Sequence, residues 1–182
     1  MVPAADPGKV LPEAPQDEQT VDSQGRPVAP GIEGVVVVQR RWHADHRGRL
    51  AEVVDAEHPF WEDPVVYSYC FTIAPGRIKG WGMHRGQDDR YFVASGSVRV
   101  VLYDGREASP TFERFQQLHF TDHTPGLVRI PAGVWHADQN YGDSEAILMN
   151  FPTTPFNHED PDKHRIDPRS GQIPFDWSLP DG

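Results

Sequence analysis

Pro131-Ala132-Gly133-Val134-Trp135-His136-Ala137-Asp138-Gln139-Asn140 is the stretch on which the fold turns. Proline presets φ and glycine tolerates positive φ, so Pro131 and Gly133 mark a tight turn between two strands. The strand after the turn alternates its side chains between faces, and it directs His136 to the interior of whatever barrel it helps to close.

Outward from this stretch one pattern recurs. Short β-branched and aromatic segments are separated by turn residues, as in sandwiches and barrels of many strands. Strands are expected over 35–42, 49–55, 65–74, 78–85, 90–95, 97–103, 116–120, 127–130, 134–140 and 146–151. Punctuation falls at His46-Arg47-Gly48, Pro75-Gly76, Asp104-Gly105, Thr124-Pro125-Gly126 and Tyr141-Gly142-Asp143. A 3.6-residue apolar period is never sustained, and the nearest helical candidates, 57–63 and 110–117, are short. The expected class is all-β.

Of the 18 prolines, six fall in residues 1–34, six in 35–151 and six in 152–182, so proline is concentrated at both ends. Residues 1–34 also carry six acidic residues against two basic ones. Such a composition cannot bury enough apolar surface to offset the entropy of ordering, and it reads as a flexible, acidic arm. Residues 35–151 are the barrel. In 152–182, Phe156, Ile166, Ile173, Phe175 and Trp177 punctuate the prolines and charges, which implies an irregular segment packed back on the barrel.

The whole chain has 182 residues, 27 Asp plus Glu against 17 Lys plus Arg, and a net charge of -10. That balance repels phosphate backbones and anionic lipid surfaces, so neither nucleic acid nor membrane is expected as a partner. The net charge divides as -4 in residues 1–34, -3 in 157–182 and -3 in the 122 residues between. Most of the acidity therefore belongs to the ends, and a nucleotide sugar remains an admissible ligand for the middle. Cys70 is the only cysteine, which excludes an intrachain disulfide or a cysteine-based zinc site. With no apolar run long enough to span a bilayer and no secretory signal pattern at the N-terminus, a cytoplasmic location is expected.

The Pro131 to Asn140 stretch matches the second motif of the cupin superfamily, and Asp89 through Gly96 resembles the end of the first. Where the first motif usually has two histidines one residue apart, this chain has Gly82-Met83-His84. Across the domain the resemblance is closer to one branch, the dTDP-4-dehydrorhamnose 3,5-epimerase family. Asp45 to Glu52 resembles that family's Asp-x-Arg-Gly-x-x-x-Glu segment, and Gly82-Met83-His84 the end of its Arg-Gly-Leu-His motif. Gly96-Ser97-Val98 with Asp104 to Phe112 is similar to its Gly-x-Val strand and Asp-x-Arg-x-x-Ser-Pro-Thr-Phe stretch. Asp167-Pro168 and Ile173 to Trp177 resemble its closing signature.

The resemblance implies a cupin double-stranded β-helix, or jelly-roll barrel, that pairs as a homodimer, with the strand at 35–42 as the candidate for edge pairing. It implies an epimerase or isomerase, without cofactor, acting on a nucleotide-linked 4-keto-6-deoxy sugar. His84 stands at the position of the base that removes a proton beside the sugar ketone, and His136 at that of a pocket-lining histidine. An imidazole suits the task because its ordinary pKa lies near neutrality. Both also admit a structural reading, as histidines satisfied by backbone groups inside a barrel.

Several positions depart from the family pattern. Asn150 stands where the resemblance places the tyrosine that protonates the enolate. An amide cannot supply that proton, although it can hydrogen-bond an enolate oxygen. No counterpart of the family's histidine-supporting aspartate follows Trp177. In that pattern Trp81 stands in place of an arginine and Asp89 of a lysine, and Asp89 is kept as a candidate catalytic residue beside His84 and His136, with Trp81 and Asn150 as candidate substrate contacts.

Arg77 and Lys79 are candidates to meet a diphosphate, or else solvated strand-edge residues; Tyr91 and Trp135 are candidate substrate-lining aromatics, or else core. An alternative set, His84, Asp89 and His136, has the two-histidine, one-carboxylate composition that holds a divalent metal ion in metal-dependent cupins acting on small organic molecules. A repurposed or non-catalytic homologue is the third reading. The other histidines, 43, 46, 58, 119, 123, 158 and 164, read as solvated.

Overall fold

The protein's computed structural model describes residues 16–24 and 27–179. The chain separates into two units, Met1–Pro30 and Gly31–Gly182. In the first, Val21 and Pro27 form an isolated bridge and Val28 N donates to Thr20 O at 3.1 Å. Part of the expected arm, 1–15 with 25 and 26, lies outside the described residues. Residues 31–34, grouped with the arm by composition, belong instead to the second unit. Ile32 is buried in its core, with its N–H on Gln116 Oε1 at 2.8 Å.

Among its described residues the second unit carries twelve strands. They are β1 (Val36–Gln39), β2 (His43–Asp45), β3 (Gly48–Leu50), β4 (Tyr69–Ile73), β5 (Ile78–Met83), β6 (Asp89–Ser95), β7 (Val98–Asp104), β8 (Phe115–Phe120), β9 (Gly126–Ile130), β10 (Val134–Asn140), β11 (Ala146–Asn150) and β12 (His164–Arg165). Two antiparallel five-stranded sheets, ordered β1-β9-β6-β11-β4 and β12-β5-β10-β7-β8, form the all-β jelly roll, and β2-β3 is a separate hairpin. Among the described residues no helix is long and apolar enough to cross a membrane.

Strand alternation assigns the layers. On β7, Val98, Val100 and Leu102 point between the sheets, where they meet Val128, Ile130, Val134 and Leu148, and all three are fully buried. Each such side chain contributes ~1.5–3 kcal/mol of transfer free energy. The odd residues of β7, Val101 and Tyr103, face the other way and pack with Trp81, Phe115, Ile173, Phe175 and Trp177. The C-terminal segment thus lies on the outer face of the second sheet. A third cluster, Phe60, Trp61, Phe92, Leu127 and Phe151, covers the outer face of the first.

Strand expectations hold best where alternation and turn chemistry coincide. β10 spans all of 134–140, and Gly133 before it has φ of 83°, as the turn requires. The expected strand over 49–55 is cut to Gly48–Leu50, because Ala51 and Val53 leave the ladder to pack under Phe60 and Trp61. Residues 57–63 hold a single 3₁₀ turn, Pro59–Trp61, capped by His58, whose Nδ1 accepts from Phe60 N at 3.1 Å. Residues 110–117 form no helix; Phe115 already starts β8. β12 has no counterpart among the expected strands.

Candidate active site

A cavity of about 490 Å³ opens between the sheets. Its polar wall comes from strand ends and alternating positions. His84 follows β5, Asp89 begins β6 with Tyr91 two residues on, and His136 and Asp138 share the inner face of β10. The Pro131 to Gly133 turn fixes His84 directly, since Gly133 N donates to His84 O at 2.7 Å.

The two imidazoles stack with centroids 5.9 Å apart. Each has its Nδ1 committed to a backbone carbonyl, His84 to that of Asp162 and His136 to that of Val134 at 3.4 Å. A carbonyl only accepts, so Nδ1 carries the proton and both Nε2 atoms present lone pairs. They converge on one carboxylate oxygen: Asp89 Oδ2 is 3.5 Å from His84 Nε2 and 3.4 Å from His136 Nε2. His84 Nε2 is buried without a hydrogen bond among the described residues.

Asp89 is held from its other side. Its Oδ1 accepts from Asn150 Nδ2 at 2.8 Å, and the same amide nitrogen lies 2.8 Å from the Tyr69 hydroxyl, which accepts from it. Asn150 Oδ1 takes the N–H of Arg90 at 3.1 Å.

Burial dominates the titration of this wall. It brings His136 down to about 4 against the opposing pull of Asp89, with His84 and Lys163 adding to the fall. It raises Asp138 to about 8, helped by Asp89. It also raises the Tyr69 phenol to about 12, again with Asp89. At neutral pH His136 is uncharged and Asp138 largely holds its proton.

Of the residues singled out in the sequence, His84, His136, Tyr91, Lys79 and Trp81 line the cavity, and Asp89 and Asn150 stand directly behind that wall. Lys79 is exposed, its ammonium 5.1 Å above the Phe71 ring. Trp81 borders the cavity while its ring packs 5.3 Å from that of Trp177.

Two residues fall elsewhere. Arg77 is exposed in the turn before β5, where only its backbone is engaged. Trp135 has the opposite parity to His136 on β10 and packs against Gly105 and the outer cluster. His158, read as solvated, is exposed but stands on the cavity wall with its ring 4.7 Å from that of Phe156. Asp138, Tyr69 and Lys163 also line the cavity. The two-residue step from His136 marks Asp138 in the sequence, but no periodic signal marks Lys163.

A half-open jelly-roll pocket walled by imidazole, carboxyl, phenol and ammonium groups is a cupin-type site with the groups to bind a small polar molecule. Comparison with known proteins narrows the class. Residues 30–181 match the family model for dTDP-4-dehydrorhamnose 3,5-epimerase. Agl13 of Haloferax volcanii, a probable low-salt glycan biosynthesis epimerase, is 36% identical over 151 residues, covering 82% of this chain and 96% of that one. The spore coat polysaccharide biosynthesis protein SpsL of Bacillus subtilis is 34% identical over 147 residues, covering 81% and 97%. The crystal structure of a dTDP sugar isomerase from Desulfovibrio desulfuricans superposes with a TM-score of 0.74 at 29% identity, covering 82% of this chain and 94% of that one. The chain belongs to the dTDP-4-dehydrorhamnose 3,5-epimerase family, and it is an epimerase or isomerase.

Proposed function

We propose that the enzyme epimerises a nucleotide-linked 4-keto-6-deoxy sugar with His84 as the base and without a cofactor. The observation that carries this reading is the state of His84: Nδ1 tied to the Asp162 carbonyl, Nε2 bearing a lone pair without a partner, and the ring on the cavity wall. In the chemistry proposed, Nε2 takes a proton from the carbon beside the ketone, and the C–H electron pair passes into the enolate. Asp89 Oδ2 then receives a charge-assisted bond from the new imidazolium. Tyr69 stands on the sheet facing His84, and its phenol is the group we assign to return a proton from the other side.

The test is solvent deuterium exchange into dTDP-4-keto-6-deoxyglucose. The wild-type enzyme is expected to label a ring carbon, and His84→Ala to lower the rate ~10²–10⁴-fold. A wild-type rate equal to the no-enzyme control refutes epimerisation of this sugar and favours the non-catalytic reading.

A second reading rests on a separate observation. His84, Asp89 and His136 each bring one ligand atom within 4.8 Å of the others, and all three are buried. This donor set suits a divalent ion, which when bound supplies Lewis-acid polarisation of a substrate oxygen. Stoichiometric Fe, Mn, Ni or Zn in the purified enzyme, lost in His136→Ala, establishes the metal and ends the cofactor-free reading.

We also propose a homodimer formed through the edge strand β1, whose Val36 and Val37 are 43% and 37% exposed. Light scattering of the wild-type chain and of Val37→Lys tests it; the variant is expected to run as a monomer.

A further inference from the structure

Proton removal beside a ketone builds negative charge on the ketone oxygen, yet the groups gathered around His84 are the Asp89 carboxylate, the Asn150 amide and the uncharged His136 imidazole. The cavity gains positive charge from an unmarked direction. Lys163 immediately precedes β12, the edge strand that pairs Arg165 with Gly82 and His164 with Met83. Its side chain passes over Gly82: a Cβ built at Gly82 would stand 3.7 Å from Lys163 Cε and 3.1 Å from His136 Nε2. A side chain at 82 would touch the lysine stem only at ordinary van der Waals distance but would crowd His136 Nε2, so the glycine keeps His136 and Lys163 together on one wall.

Lys163 is half-buried and lines the cavity, and its ammonium has neither hydrogen bond nor ion pair among the described residues. The carboxyl groups of Asp89 and Asp138 act on it without closing a contact. Asp138 Oδ1 is itself buried without a partner among the described residues. An ammonium and a carboxyl group, both unengaged on one small cavity wall, form a polar subsite that awaits a ligand's oxygens.

We infer that Lys163, passing over Gly82, binds the keto oxygen of the sugar and holds the negative charge which that oxygen gains in the enolate. The C–H bond breaks, its proton goes to His84 Nε2 and its electron pair to the enolate, while the ammonium keeps its protons and only hydrogen-bonds. When a proton returns to carbon the charge leaves the oxygen. This assignment rests on the epimerase reading above.

The experiment compares wild-type enzyme with Lys163→Met and Lys163→Arg, using dTDP-4-keto-6-deoxyglucose as the probe. Lys163→Met, near-isosteric and uncharged, is expected to keep the wild-type circular dichroism. It is expected to lower kcat for deuterium exchange ~10²–10³-fold, with KM changed only a few-fold, because the charge develops beyond the ground state. Lys163→Arg should recover part of the loss. Exchange by Lys163→Met within three-fold (~3) of wild type overturns the inference.

A second readout is independent of turnover. In ¹³Cε-lysine-labelled enzyme, the resonance missing from Lys163→Arg should shift when the sugar is added. A shift without exchange keeps Lys163 as the sugar-binding residue and refutes the epimerase reading alone. A resonance that stays in place overturns the inference.

Discussion

Arg90 is fully buried on β6, yet among the described residues it meets no carboxylate at hydrogen-bond distance. Its guanidinium is spread over backbone carbonyls: Nε to Phe151 O at 2.7 Å, one terminal nitrogen to Asp63 O at 2.6 Å, and the other to Pro64 O at 3.2 Å and Pro152 O at 3.5 Å. Its plane also lies 4.9 Å from the Trp61 ring. One side chain thereby ties the 3₁₀ turn segment to the end of β11, where Pro152 forms part of the cavity wall.

Arg90→Met keeps most of the apolar stem and removes every donor. Asp63 and Pro64 are partly open and recover water, but the Phe151 and Pro152 carbonyls sit in buried residues and are left without their side-chain donor. An orphaned buried carbonyl costs ~1–3 kcal/mol, and the lost cation–π contact adds up to ~2. The expected loss is about 4 kcal/mol, which for a domain of ~150 residues lowers Tm by roughly 10 °C at ~2–4 °C per kcal/mol. Differential scanning calorimetry reads it directly. A shift below ~3 °C, or full recovery by Arg90→Lys, which lacks the planar fork, refutes the view that guanidinium geometry is what holds these loops.

Asp104 tests electrostatics remote from the cavity. Burial opposes its ionisation, but bonds from Arg106, from Ser109 Oγ at 2.6 Å and from Thr111 Oγ1 at 2.6 Å hold the carboxyl well below the ordinary range. A depressed folded value means the unfolded chain binds the extra proton. The stabilisation is complete above the unfolded value of ~3.9 and is lost as pH falls from there toward the folded value. Urea midpoints are expected to fall steeply between about pH 4 and pH 2 in the wild type and less so in Asp104→Asn, while the variant loses ~2–4 kcal/mol at neutral pH; equal slopes refute the assignment. Asn150→Leu removes the donor to Asp89 Oδ1 and the acceptor of Arg90 N. Deuterium exchange is expected to fall ~10-fold as Asp89 loses its orientation, with a stability loss of ~2–3 kcal/mol, and unchanged exchange shows that Asp89 needs no such support.

What the sequence discloses about the site depends on how each residue reaches it. His84, Asp89, Tyr91 and His136 lie in or beside strands, where parity and turn position decide which way a side chain points, so motif and alternation find them. Asp138 obeys the same parity and is hidden only because the motif leaves its position unspecified. Trp135 shows the converse: adjacency to His136 in sequence puts it on the opposite face. Arg77 was marked by its charge alone, and charge does not orient a side chain at a turn. Lys163 and the Asp162 carbonyl come from an irregular segment whose course is set by packing, which leaves no period to read.

That packing links the residues of the site. Trp81 is fully buried against Phe175 and Trp177, and its backbone exchanges hydrogen bonds with Ile166, N to O at 2.9 Å and O to N at 3.1 Å. Trp81 thus anchors the segment carrying Asp162 and Lys163. One of these fixes the His84 tautomer, and the other carries an ammonium to the cavity over Gly82. Asp89 accepts from Asn150, and the same amide meets the Tyr69 hydroxyl on the next strand. Trp81→Arg alone would therefore damage the site by burying an unpaired charge where the C-terminal segment docks. Asp89→Lys and Asn150→Tyr, made one at a time, should each lower activity as well, because the cation, the tautomer lock and the carboxylate brace depend on the same few packing contacts.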